Sequence, residues 1–160
     1  MRAWRIATDT RTYEADDMTG LGAKTSGGRW NSEGNAIVYA SGSIALACLE
    51  TVVHLGSGGL PLNRYLVQIT IPDGIWGARL ELSQTEAPVG WDALPESETS
   101  LSYGDEWLSG AASAVLLVPS IVVPEEQNIL INPGHPDAAS IKAVKVRKWL
   151  YDSRLVEPRS

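Results

Sequence analysis

Apolar residues in this chain fall in short runs bounded by Gly, Pro, Asn and Asp, and such runs predict strands more often than long helices. Residues 2–8 read as a first strand. Residues 9–28 are polar and glycine-rich and read as a long loop. Ile37-Val38-Tyr39-Ala40 is a short buried strand, and Ser41-Gly42-Ser43 turns the chain and offers an N-cap. Residues 44–55 have a helical period, with Gly56 and Gly58-Gly59 as the stop. Tyr65, Val67, Ile69 and Ile71 alternate with polar neighbours, as a half-buried strand should, and Pro72-Asp73-Gly74 is a turn. Further strands are predicted at 78–82, 114–118, 129–131 and 142–149. A helix is predicted over 98–111, a helical turn over 137–141 and a surface loop over 83–97. The gaps between most strands are too short for repeated βαβ crossovers. The pattern therefore predicts an α+β fold, a single domain over 1–160 with a mixed, largely antiparallel sheet and few helices.

The helix holds the densest local information. At about 100° per residue, Ala45, Leu46, Leu49, Val52 and Val53 form one apolar arc, and Ile44, Cys48 and Leu55 lie nearly opposite. A helix apolar on both sides is mostly buried. Its polar stripe is Ser43, Glu50 and His54, with Glu50 and His54 at a spacing that allows pairing. Taken alone the stripe reads as a solvent-facing strip. The sharper reading points Glu50 into a cleft, with His54 as its structural partner and Cys48 in the core.

Composition narrows the partners. The chain has 160 residues, with 13 Lys+Arg against 19 Asp+Glu and a net charge of −6. That balance argues against direct nucleic acid binding and against docking on an anionic membrane. There is no apolar run of the roughly 20 residues that a membrane helix needs, and the first residues lead into no signal-peptide core. One cysteine allows no intramolecular disulfide. Two histidines outside any ligand spacing argue against a metal site. A cytoplasmic protein is expected.

Two more segments carry chemistry. In Ser26-Gly27-Gly28-Arg29-Trp30-Asn31, the glycines allow a tight turn and the Arg29 fork suits phosphate or carboxylate. Trp30 offers a flat face beside it. The segment has no P-loop ending. In Val118-Pro119-Ser120, proline stops a buried strand and leaves Ser120 at its end, without the Gly-x-Ser-x-Gly setting of a hydrolase. Asn132-Pro133-Gly134-His135-Pro136 reads as a rigid turn.

Together these fragments resemble the RES-domain toxins, a family named for its Arg, Glu and Ser. The resemblance runs through Trp4-Arg5-Ile6, Gly28-Arg29-Trp30-Asn31, Val38-Tyr39-Ala40-Ser41, Leu49-Glu50, Val118-Pro119-Ser120 and Asn132-Pro133-x-His135-Pro136. It covers about residues 3–136. It implies a split sheet like that of ADP-ribosyltransferases, the toxin half of a toxin–antitoxin pair, and an Xre-like helix-turn-helix antitoxin as partner. It also implies NAD⁺ as the substrate, cut at the nicotinamide N-glycosidic bond. The ADP-ribose then goes to water or phosphate, or to an acceptor protein. By position Arg29, Tyr39, Glu50 and Ser120 correspond to the family's site residues. The expected roles are Arg29 on the diphosphate, Glu50 at the ribose, Tyr39 on a ring or hydroxyl, and Ser120 on the ribose or on Glu50. Trp30, Ser41 and Asn132 are further binding candidates. The contrasting expectation is a non-catalytic nucleotide-binding or protein-interaction module. The enzyme needs Glu50, Arg29 and Ser120 at one cleft, and a module would leave Glu50 solvated elsewhere.

Overall fold

The computed structural model describes residues 1–55 and 60–155. The chain opens with β1 (Arg2–Thr8), an interior strand whose alternate side chains serve two cores. Ala3 faces one with Val67 and Ile69, and Ile6 faces the other with Ala47 and Leu66. The remaining strands are β2 (Val38–Ser41), β3 (Arg64–Thr70), β4 (Leu80–Glu81), β5 (Val115–Pro119), β6 (Gln127–Ile131) and β7 (Lys142–Trp149). They form one seven-stranded sheet in the order β4-β5-β6-β2-β1-β3-β7. Only β4 and β5 run parallel. The largely antiparallel α+β architecture expected from the strand spacing is the one observed. β5 is buried along its whole length and divides its side chains between faces. Val115 and Leu117 join the core of Ala3, whereas Leu116 and Val118 pack with Trp30, Trp107 and Leu130.

The sheet has one weak seam. β1 and β3 pair over their full lengths, from Arg2 with Thr70 to Thr8 with Arg64. β1 and β2 share a single register pair, Trp4 with Ser41. The two halves of the sheet part there, and the side chains discussed below line the opening.

Four α-helices, α1 (Leu21–Ser26), α2 (Ile44–Val52), α3 (Asp73–Gly77) and α4 (Glu98–Gly110), and two short 3-10 helices, Pro136–Ser140 at the predicted helical turn and Ser153–Leu155, complete the elements among the described residues. Two of the α-helices were not expected. α1 interrupts the predicted 9–28 loop; its N-cap is Gly20, which gives no side-chain cap to read in sequence. Gly20 is required because its φ is +73° and a Cβ there would lie 2.7 Å from the Ile37 nitrogen. α3 extends the predicted turn at 72–74, with Asp73 in its first turn where the helix dipole favours a carboxylate.

α2 begins as predicted, with Ser43 Oγ accepting from Leu46 N at 3.1 Å, but ends at Val52, short of the predicted 55. The glycines expected to stop it, Gly56, Gly58 and Gly59, lie outside the described residues. Its buried side matches the expected arc only in part: Leu46 of that arc is buried at 1% and Val52 packs in the core. Ile44, Ala47, Cys48 and Val52 pack against Ile6, Leu66 and Tyr151, while Leu49 is 37% and Val53 56% exposed. Tyr151 fixes this arrangement by donating to Thr51 Oγ1 at 2.8 Å.

Candidate active site

A cleft of about 940 Å³ opens beside the β1–β2 seam, within the usual range for small-molecule sites. Arg29, Tyr39, Ser41 and Glu50 line it, together with Trp4 and Arg5 from β1 and Leu94 to Glu96 from the predicted 83–97 loop. Residues far apart in sequence therefore meet in one concavity, and Glu50 is half-buried at its wall.

Glu50 is held on one side only. Its Oε1 accepts from Ser120 Oγ at 2.7 Å and from Asn128 Nδ2 at 2.5 Å. Ser120 is fully buried at the end of β5. Its oxygen accepts from Val122 N at 3.1 Å and Val123 N at 3.0 Å. With both lone pairs engaged, its single proton is left for Glu50. Asn128 on β6 is oriented in turn, because its Oδ1 accepts from Ser41 Oγ at 2.8 Å. Among the described residues Oε2 has no hydrogen-bond donor. The carboxylate is thus anchored through one oxygen and keeps the other for a ligand.

The glycine–arginine turn is fixed from three directions. Gly28 and Asn31 form an isolated antiparallel bridge. Tyr39 on β2 accepts from Trp30 N at 3.0 Å and donates to Asn31 Oδ1 at 2.7 Å. Burial pushes the Tyr39 phenol far above its ordinary value, against a smaller opposing effect of the Trp30 N–H. Gly28 must stay glycine, since a Cβ would lie 2.9 Å from the Tyr39 hydroxyl. From the third side comes α4. Ser32 N donates to Asp105 Oδ1 at 3.0 Å, and a Cβ on Gly104 would lie 1.8 Å from the Trp30 carbonyl oxygen. Arg29 then projects from a rigid base. Its Nη1 donates to the Trp91 and Ala93 carbonyls, each at 2.9 Å, which leaves Nε and Nη2 for the cleft.

Several expected residues are placed differently, although Trp30 still lines the cleft. Trp30 is only 3% exposed. Trp91 stacks on it and Tyr103 meets it edge-on, both with centroids 6.1 Å apart, so it reaches the cleft wall with little of its surface. Ser120 lies beneath Glu50 and does not line the cleft. Asn132 is outside it as well: its Nδ2 donates to Leu108 O and its Oδ1 accepts from Gly134 N, both at 2.9 Å. His54 does not pair with Glu50. α2 has already ended, and Ser120 and Asn128 occupy the carboxylate instead. Two residues stood in view in the sequence without a role, Asn128 and Asn31. Asn31 is buried, and its amide donates to Ala23 O at 2.9 Å and Asn35 O at 3.0 Å. An Asn in a buried strand or glycine turn was the available signal.

With this geometry in hand, comparison is informative. The RES domain model matches residues 2–153. The chain belongs to the RES-domain family. It is 63% identical over 153 residues to the Prs ADP-ribosylating toxin of Sphingobium sp. (strain YBL2), covering 96% of this chain and 95% of that one. To Toxin Res of Yersinia enterocolitica it is 38% identical over 156 residues, covering 97% and 99%. Among solved structures it superposes on a chain of the M. tuberculosis MbcT–MbcA toxin–antitoxin complex with a TM-score of 0.65. That likeness covers 91% of this chain and 84% of the other at 15% identity, so it speaks to the fold. In this RES-domain chain the Arg and Glu that the resemblance singled out line one cleft, and the Ser sits behind the Glu.

Proposed function

We propose that this RES-domain toxin cleaves the nicotinamide–ribose bond of NAD⁺ and transfers ADP-ribose to an acceptor protein. The observation that carries the reading is the half-held carboxylate of Glu50 facing Arg29 across one cleft. Breaking the C1′–N bond sends its electron pair to the pyridinium nitrogen, so nicotinamide leaves neutral and needs no general acid. Positive charge grows on the ribose, as in glycoside cleavage. Glu50 Oε2 accepts from a ribose hydroxyl and stabilises that charge, while Ser120 and Asn128 keep the carboxylate from turning away. Arg29, with Nη1 already committed to carbonyls, presents its remaining donors to the diphosphate. The acceptor nucleophile attacks C1′ and releases its proton to solvent.

The name of the Sphingobium relative supports a protein acceptor, and Prs is the first to try. The acidic body of this chain, −6 overall, suits a basic Xre-like helix-turn-helix antitoxin as partner. The test uses adenine-labelled NAD⁺ with the purified full chain and Prs. Label on Prs is the expected result. Label only in free ADP-ribose or its phosphate ester moves the assignment to an NAD⁺-depleting enzyme, and absence of nicotinamide release removes the reaction.

A further inference from the structure

The outer half of the sheet has a face that the mechanism leaves unused. β1, β3 and β7 pair in register, and residues directly opposite one another share a face, so that side can be read row by row. Trp4, Gln68 and Val144 form one row, and Arg2, Thr70 and Lys142 the next. In a third row α2 covers Ile6 and Leu66, while Arg147, opposite Leu66, stays exposed. The register shift beside Leu66 leaves Val146 as an extra residue of β7. Val144 is 53% and Val146 50% exposed. The three rows hold three cations and no carboxylate, in a chain with 19 Asp+Glu against 13 Lys+Arg.

The reverse side of β7 shows how the fold treats a cation whose charge it answers internally. Lys145 lies over the Tyr65 ring there and pairs with Asp9 at 3.3 Å and Glu14 at 2.7 Å. Among the described residues Arg2, Lys142 and Arg147 have no acidic partner. Lys142 Nζ donates to the Ala139 carbonyl at 2.7 Å, and the Arg147 guanidinium lies 4.7 Å from the centre of the Trp149 ring. Both are positioned without being neutralised. The face also begins at the cleft, because Trp4 lines the cleft and is the first member of the row that ends at Val144. Two strand spacings, about 10 Å, separate the two ends of that row. A protein seated on Val144 therefore has the cleft within reach of one of its loops.

We infer that this basic, partly apolar face is the docking surface of the acceptor protein, which meets it with an acidic patch. The inference rests on the reading of the chain as a transferase that modifies a protein. Exposed valines among unpaired cations give the face an apolar centre and a charged margin, the usual anatomy of a protein interface. Charge decides which partner it fits. The body as a whole is acidic and suits the basic antitoxin, whereas this face has the opposite sign and repels it. A second copy would bring the same cations against themselves.

Prs is the probe. Its binding to the full chain without NAD⁺ is measured by calorimetry, and label transfer from adenine-labelled NAD⁺ by initial rates. The double variant Arg2→Glu with Lys142→Glu is expected to weaken binding and raise KM for Prs about tenfold. Val144→Asp should act in the same direction, and Lys142→Arg should behave as the wild type. KM for NAD⁺ and the rate at saturating Prs should not change, because none of these residues lines the cleft. Should the double variant fail to fold by circular dichroism, salt decides: the wild-type KM for Prs is expected to rise severalfold between about 0.05 M and about 0.3 M salt. Labelled Prs with an unchanged KM in a folded variant, or a KM indifferent to salt, overturns the docking face and leaves the transfer reaction standing. Prs that binds through the face but never takes label spares the face and removes Prs as the acceptor. Prs that neither binds nor takes label overturns both. A wild-type dimer that the double variant abolishes in the ultracentrifuge, with Prs kinetics unchanged, gives the face to a second copy and overturns the inference.

Discussion

Ser120 gives its only hydroxyl proton to Glu50, 70 residues away, because two backbone N–H groups already occupy its oxygen. The serine at the end of β5 acts on the site by aiming a carboxylate. Ser120→Ala removes that proton and also strands the Val122 and Val123 amides. A stability loss of about 1–3 kcal/mol is expected from the unmet donors. The activity loss should exceed what unfolding explains, seen as a lower kcat in the fraction that urea titration shows to be folded.

Glu50→Gln tests the charge itself. Glutamine keeps the shape and an acceptor oxygen but cannot stabilise a cation. Nicotinamide release should fall about 10²–10³-fold with a melting temperature near that of the wild type. Release at the wild-type rate would falsify the role given to Glu50.

Gly104→Ala reaches the site from behind. The new Cβ would sit 1.8 Å from the Trp30 carbonyl oxygen, a backbone atom that cannot step aside. α4 must shift, and overpacking of this kind typically costs about 1–3 kcal/mol or more. Urea denaturation measures the loss, and KM for NAD⁺ should rise because Arg29 moves with the turn.

Trp91→Ala probes the same arginine from the other side. It removes the ring stacked on Trp30 and loosens the segment whose carbonyls hold Arg29. KM is expected to rise severalfold with kcat little changed, measured by initial rates over a range of NAD⁺ concentrations.

Tyr39 makes a pH prediction. Burial raises its phenol pKa in the folded chain, so the folded state keeps a proton that the unfolded state releases near the ordinary value of about 10. The stabilisation is complete below that pH and is lost as pH rises beyond it. Tyr39→Phe should lose stability at neutral pH, since Trp30 N and Asn31 Oδ1 lose their bridge. Its stability should then fall less steeply than that of the wild type between about pH 9 and about pH 11. Chemical denaturation across that range checks the difference in slope.

Much of the architecture was legible in local pattern. β1 and β7 fall on the predicted residues, and the other strands shift by a residue or two, since alternation and proline stops are properties of neighbouring residues. What pattern could not show was the consequence of distance. The buried side of α2 is set by Ile6, Leu66 and Tyr151, none of them near the helix in sequence. Trp30 looked like a platform until Trp91 and Tyr103 were placed against it. The family resemblance drew attention to Arg29, Tyr39, Glu50 and Ser120, yet Asn128 had no local signal apart from being an asparagine inside a strand. Its importance comes from register: β6 pairs with β2 so that Asn128 faces Ser41, and Ser41 then orients its amide.

That same placement of β6 bears on how the protein is born. β6 lies between β5 and β2, so the sheet cannot close around Glu50 until residues 127–131 exist. The partners of the carboxylate arrive 70 and 78 positions after it. A chain emerging from the ribosome therefore carries Glu50 for about half of its synthesis without the setting that aims it. The carboxylate gains both of its partners only with the next-to-last strand.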